Sequence, residues 1–321
     1  MAKLYAAIIL ALIPAIAQTP RKPAAAAVNP TAAVQLAEAG HCREALPQLK
    51  IVLPKIQENE LKRRAGITGV RCAMTVNDAG TAVSFLAWLN HEFPHDPAVL
   101  YLSTHVYSDL SIRASQELLY TAPGSAQVHE LNAEALETQG KWKEAEEEYR
   151  AVLEKDSHMP GIHYRLGRLL LSVPNAPEAN KNAAKVEFQE ELKIDPNNAG
   201  AEFVLGELAR QAEQWPDSIS HFSKATKLDA GFAEAYVGLG RALLGDNKAA
   251  DAATALETAA RMQPDNPEVH FYLATAYRRA GRKADADREF LAHKQASEKS
   301  QQTKDEIKKQ VTGGLVEKPP Q

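Results

Sequence analysis

The chain has 321 residues, 45% hydrophobic and 24% charged, so it can bury a core and is not a disordered polyelectrolyte. Its 55 alanines, against 8 Phe, 3 Trp, 9 Tyr and 17 Gly, favour helices in close contact and argue against an all-β sandwich. A net charge of −4 offers no basic excess for nucleic-acid binding, and two cysteines are too few for a four-cysteine zinc site or a disulfide-dense mini-domain.

Residues 1–17 read as a secretory signal: Lys3, an apolar run from Leu4 to Ile13, Pro14, then the small-x-small step Ala15-Ile16-Ala17. The run is shorter than the roughly 20 residues that span a bilayer. Cleavage between Ala17 and Gln18 is expected, with no stable membrane span afterwards; the alternative is an uncleaved N-terminal anchor. Export to the periplasm or the medium follows. Residues 18–30, with three prolines, read as a Pro/Ala-rich linker. Residues 31–125 show helical hairpins: one opening at Thr31 with Gly40 and Ala45 in its second half, one over 61–94, and a third from Ala98 through Arg113 to Tyr120.

From Ala126 the sequence repeats itself, with starts at 126, 160, 199, 233 and 267. The repeats run 126–159, 160–198, 199–232, 233–266 and 267–294. Position 8 of each is small: Ala133, Gly167, Gly206, Gly240, Ala274. So is position 20: Ala145, Ala184, Ser218, Ala252, Ala286. Position 24 is large: Tyr149, Phe188, Phe222, Leu256, Phe290. Pro196 and Pro264 fill position 32. Small residues let two helices of a hairpin approach where they cross, a large one fills the space towards the next hairpin, and proline stops the second helix. One hairpin cannot bury its own apolar face, so neighbours must stack and length counts repeats rather than domains. Five extra residues with two prolines, in the stretch 173–179, make a loop inside the second repeat.

This pattern resembles the tetratricopeptide repeat (TPR). The resemblance implies an all-α, right-handed α-solenoid of stacked antiparallel helix hairpins, the TPR superhelix. Residues 31–125 then read as degenerate hairpins of the same stack, an independent helical domain being the alternative. Residues 295–321 read as a capping extension of the last helix and a loose tail.

In this family the first helix of each repeat lines a concave groove through positions 2, 5, 9, 12 and 13. Carried onto this chain, position 5 gives an apolar stripe of Tyr164, Phe203, Val237 and Phe271. Positions 9, 12 and 13 give Arg168, Arg210, Arg241, Arg278 and Arg279. The first repeat is instead acidic, with Glu130, Glu134 and Glu137. The resemblance implies a non-enzymatic interaction scaffold or adaptor of the cell envelope, gripping a partner's peptide or helix in the groove, with acidic residues or a C-terminal carboxylate favoured. The asparagine of the family's carboxylate clamp is missing at position 9. A structural subunit of an envelope complex, using its convex face or loops, is the alternative reading. No cofactor is implied.

Other constellations carry less chemistry. His91-Glu92-Phe93-Pro94-His95 spells H-E-x-x-H, but Pro94 between the histidines breaks the helix that would let them share zinc, so it reads as a repeat-ending loop. His129, His163 and His270 share position 4 and read as packing residues. The run Glu144 to Glu148 beside Arg150 reads as a solvated helix face. Phosphate-loop, nucleophile-elbow and calcium-loop motifs are absent, leaving no basis for an enzyme. Cys42 opens a second helix at the position held by Trp142 and Trp215 in later repeats, and Cys72 lies on the first helix of the next unit. In an exported chain the pair is placed for a disulfide, two buried thiols being the alternative.

Overall fold

The computed structural model describes residues 28–175 and 177–313. Among them the regular structure is helical: fifteen α-helices and one short 3-10 turn. The signal segment, the Ala17–Gln18 cleavage point, nearly all of the 18–30 linker and the last eight residues lie outside the described residues.

Short polar side chains start many of the helices by taking the free backbone N–H groups of the first turn. Asn29 accepts from Thr31 N at 2.9 Å, Asp78 from Thr81 N at 3.0 Å, Asp96 from Ala98 N at 2.8 Å, Asn198 from Ala201 N at 3.0 Å and Asn266 from Glu268 N at 3.0 Å. Within six hairpins the chain turns in the same way. Gly40, Asn77, Gly140, Glu213, Asn247 and Gly281 adopt left-handed φ between 55° and 86°. The next residue's N–H then reaches back five residues to a carbonyl, as Lys141 does to Leu136 at 3.0 Å and Lys248 to Leu243 at 2.8 Å.

The described residues fall into two units, one ending at Glu117 and the other starting at Leu118. The first holds the hairpins α1 (Pro30–Glu38) with α2 (Cys42–Val52) and α3 (Asn59–Thr75) with α4 (Ala79–Glu92). Their core is built from Ala33, Ala45, Leu49, Ala82, Leu86 and Leu89, each fully buried. The sulfurs of Cys42 and Cys72 lie 2.09 Å apart, at disulfide distance, and join α2 to α3. Next comes α5 (Pro97–Thr121), a single helix of 25 residues whose end falls in the second unit. A third hairpin was expected over 98–120. No Gly, Pro or Asn interrupts residues 98–121, so nothing in the sequence stops the helix. The two units divide after Glu117.

The second unit holds five hairpins, one in each sequence repeat: α6 (Ala126–Thr138) with α7 (Trp142–Lys155), α8 (Ile162–Ser172) with α9 (Glu178–Ile194), α10 (Ala199–Gln211) with α11 (Trp215–Leu228), α12 (Ala233–Gly245) with α13 (Ala249–Met262), and α14 (Pro267–Arg279) with α15 (Lys283–Gly313). The stretch with two prolines is a loop between α8 and α9. α15 runs on well past residue 294. Ala286 and Ala296 are buried, and most side chains from 298 onward are exposed.

Position 24 packs both ways. The ring of Phe222 lies so close to Gly206, at position 8 of its own repeat, that a Cβ there would come within 2.9 Å of it. A Cβ on Gly238 in the next repeat would come within 2.4 Å of the same ring. One buried aromatic thus fastens a hairpin to itself and to its successor, and glycine leaves it the room.

Candidate functional site

The first helices of successive repeats lie side by side and are tied by named contacts. Arg165 on α8 pairs with Glu134 on α6 and reaches Glu130 at 3.5 Å. The Tyr164 ring on α8 covers Gly200 on α10. Phe203 on α10 packs against Phe232 at the start of α12, with ring centroids 4.9 Å apart. Arg241 on α12 meets Glu268 on α14 at 3.3 Å and lies 5.0 Å from the centre of the Tyr272 ring.

The predicted site residues occupy this wall unequally. Tyr164 and Phe203 are half-buried, stacked edge-on against Phe188 and Phe222. Phe271 is 43% exposed and presents the most open ring of the set. Val237 is 8% exposed and packs with Ala259 and Val269, so the apolar stripe is interrupted there. A valine is too short to fill its helix contacts and also reach the surface.

The arginines differ as well. Arg210 is held by Glu207 one turn earlier, at 2.8 Å, and Arg241 by Glu268, so both are largely neutralised. Arg279 donates to the Leu244 carbonyl at 2.9 Å and closes the end of α12. Arg278 is exposed, lies 5.3 Å from the centre of the Phe290 ring, and makes no ion pair among the described residues. Arg168 is exposed and likewise has no ion pair at bonding distance among them. The cationic character facing solvent therefore rests on Arg168, Arg278 and the exposed part of Arg279.

The histidines at position 4 do more than pack. His129 Nδ1 lies 2.6 Å from Glu148, His163 Nδ1 2.6 Å from Glu187, and His270 Nδ1 2.7 Å from Glu289. All three carboxylates hold position 23 of the second helix. In the third repeat the pair is exchanged: Glu202 holds position 4, and His221, at position 23, meets it at 2.5 Å. Burial pushes the His270 imidazole towards neutrality, but the Pro264 carbonyl and the Glu289 carboxylate outweigh it and its pKa lies above the ordinary value. The sequence carried this signal as His and Glu 19 residues apart in three repeats and 24 apart in the second, which holds the five-residue insertion, so it is readable only once the register is set.

At the H-E-x-x-H stretch, α4 ends at Glu92 and Pro94 lies beyond it, so the two histidines do not share a helical turn. Glu92 is bound to Lys62 at 3.0 Å, and Asp96 caps α5. In the acidic run, Arg150 bonds Glu146 at 2.8 Å, and Glu148 belongs to the pair with His129.

The tetratricopeptide-repeat family profile matches residues 130–199, 203–250 and 237–300, more than half of the chain. This is a tetratricopeptide repeat protein. Members of this scaffold family are generally non-enzymatic, and membership implies protein partners. The fold is similar to that of MamA, with 20% identity and a TM-score of 0.50 over 55% of this chain and 94% of that one. It is also similar to YrrB, described as a TPR protein with an unusual peptide-binding site, with 17% identity and a TM-score of 0.50 over 57% of this chain and 92% of that one. MamA 41-end from Desulfovibrio magneticus RS-1 matches at 19% identity and a TM-score of 0.49, covering 54% of this chain and 96% of that one. No curated protein sequence matches the chain. Among the described residues no helix is long and apolar enough to cross a membrane.

Proposed function

We propose that this TPR protein is an exported adaptor of the cell envelope that holds an extended peptide or short helix of a partner protein along the first helices of its later repeats. The carrying observation is the run of Tyr164, Phe203 and Phe271 with the guanidiniums of Arg168 and Arg278, which make no ion pair among the described residues, on the same helices. Apolar rings supply anchoring area, and exposed arginines supply orientation and a preference for carboxylates. The described peptide-binding role of YrrB agrees with this use of the fold. The signal-like residues 1–17 and the Cys42–Cys72 pair, which suits an oxidising compartment, support export.

The test is recovery of partners from an envelope extract by the wild-type protein and by the Arg168→Glu/Arg278→Glu double variant. Loss of a defined partner in the variant is expected. Identical recovery would count against the groove and favour attachment through other surfaces.

A further inference from the structure

The third helical unit stops halfway through a hairpin. Pro94 follows α4, and α5 starts three residues later, at 97, just as the repeats at 199 and 267 start three residues after Pro196 and Pro264. In that register Val99, Ser103 and Val106 hold positions 3, 7 and 10 and are buried, the two valines within the core of the first unit. α5 is therefore a first helix. No second helix follows it among the described residues: the next helix is α6, which opens the first clear repeat.

In the five complete hairpins the corresponding face of the first helix is covered. Position 4 meets position 23 of the second helix in four His–Glu pairs, and the glycines at position 8 lie under the side chain at position 24. Position 8 is buried in all five, and positions 4 and 11 are buried or half-buried. On α5 these positions are Leu100, Thr104 and Tyr107, and all three are exposed. Tyr101 and Ile112 extend the patch. Leu100, Tyr101, Tyr107 and Ile112 are between 48% and 69% exposed. At about 200 Å² for a large side chain, they leave about 400 Å² of mostly apolar surface on one helix, enough to mark a contact site.

What the patch lacks is an antiparallel helix. A copy of this chain's other second helices would fit poorly, because four of the five carry His or Glu at position 23, and Leu100 at position 4 has nothing to pair with it. A second α5 fits better. Along the bare face the sizes read the same from either end: Thr104, Tyr107, Ser108, then Ser111, Ile112, Ser115. An antiparallel copy, related by a two-fold axis between residues 109 and 110, sets Thr104 opposite Ser115 and Ser108 opposite Ser111. Small then meets small, as at positions 8 and 20 of the hairpins. Tyr107 and Ile112 reach the same level on opposite edges and flank the contact. No residue of this face is charged; Asp109 and Arg113, paired at 2.9 Å, project from the other side of the helix. With the threonine and serines included, two copies would bury about 1,000 Å², where specific interfaces begin. We propose that the protein forms a two-fold dimer in which α5 of each copy serves as the missing second helix of the other.

The test is sedimentation velocity on the full chain from about 1 to 100 µM, the range in which an interface of this size associates. A monomer–dimer equilibrium is expected. Tyr107→Glu, at an exposed position, should keep the fold by circular dichroism and weaken the dimer at least tenfold. Thr104→Glu and Ser115→Lys should each weaken it as well. An equimolar mixture of those two variants should recover dimer, because residue 104 of one copy faces residue 115 of the other. A monomer across the whole range, a dimer unchanged by Tyr107→Glu, or a mixture that stays monomeric would overturn the proposal. So would a monomer that loses an envelope partner in Tyr107→Glu, which would assign the face to a different protein. Arg168 and Arg278 lie outside α5, so the groove stands or falls separately.

Discussion

Gly238→Ala should destabilise the protein although alanine is the better helix former. Phe222 is fully buried, and its ring is enclosed by Gly206 on one side and Gly238 on the other. A methyl carbon on residue 238 would lie 2.4 Å from Phe222 Cε1 and 2.6 Å from Cζ, where carbon atoms sit comfortably at about 3.5–4.0 Å. Relief needs a shift of about 1 Å by the ring or by α12. The ring cannot retreat, because a Cβ at residue 206 would itself be only 2.9 Å away, so the space behind it is already closed. Overpacking of this kind costs about 1–3 kcal/mol, and alanine in place of glycine returns about 0.8–1 kcal/mol of helix propensity. The difference is a net loss of up to about 2 kcal/mol, towards the upper end because the ring is closed in on both sides. Gly80, in the first turn of α4, is the control: a Cβ there meets only Asp78 Oδ1 at 3.8 Å, so Gly80→Ala should stabilise by up to about 1 kcal/mol. Urea unfolding followed by circular dichroism reads both. Adding Phe222→Leu to Gly238→Ala should recover part of the loss, because the two sites share one contact. A Gly238→Ala protein as stable as the wild type would refute the idea that one aromatic joins adjacent hairpins through glycine-sized gaps.

Three further outcomes follow from single features. Glu213 holds a left-handed φ of 55° where two other repeats have glycine, so Glu213→Gly should raise the thermal midpoint. The gain is about 0.5–1 kcal/mol, the left-handed penalty less the entropy of glycine; a lowered midpoint would contradict it. Reducing the Cys42–Cys72 link, which closes a separation of 30 residues, should destabilise the first unit by about 3–4 kcal/mol in the chain-entropy picture and leave the second unit's transition in place. Two reactive thiols in denatured, unreduced protein would show that the link is not formed. His270 has a folded-state pKa above its unfolded value, so its contribution is complete below about pH 6.5 and fades as pH rises through the folded value. His270→Gln should flatten that part of the stability profile, and an unchanged slope between about pH 6 and pH 8 would remove His270 as its source.

The repeats were legible because their spacing constrains residue size at a few fixed points. Small residues at positions 8 and 20 and a large one at 24 have no substitute when two helices cross closely, so Gly206, Ser218 and Phe222 announce the hairpin. The first hairpin obeys the same code through Ala33, Gly40, Ala45 and Leu49, all in register. It reads faintly because its position 24 is a leucine and its flanks differ. α5 was misread as two helices, since a tendency to continue is silent while a turn residue is not. Surface roles were the least legible. Val237 and Phe271 occupy the same repeat position, yet one is buried and the other open. Arg210 and Arg278 likewise share a position, and only Arg210 has a glutamate three residues before it.

The most direct measurement of the central claim is photo-crosslinking in the native cells, with benzoylphenylalanine placed at Phe271 on α14 or at Val186 on α9. Both sites are open, 43% and 52% exposed, but only Phe271 belongs to the proposed groove. A discrete crosslinked partner from Phe271 and none from Val186 is predicted. Crosslinking from Val186 with none from Phe271 would place the partner on the second helices and contradict the account.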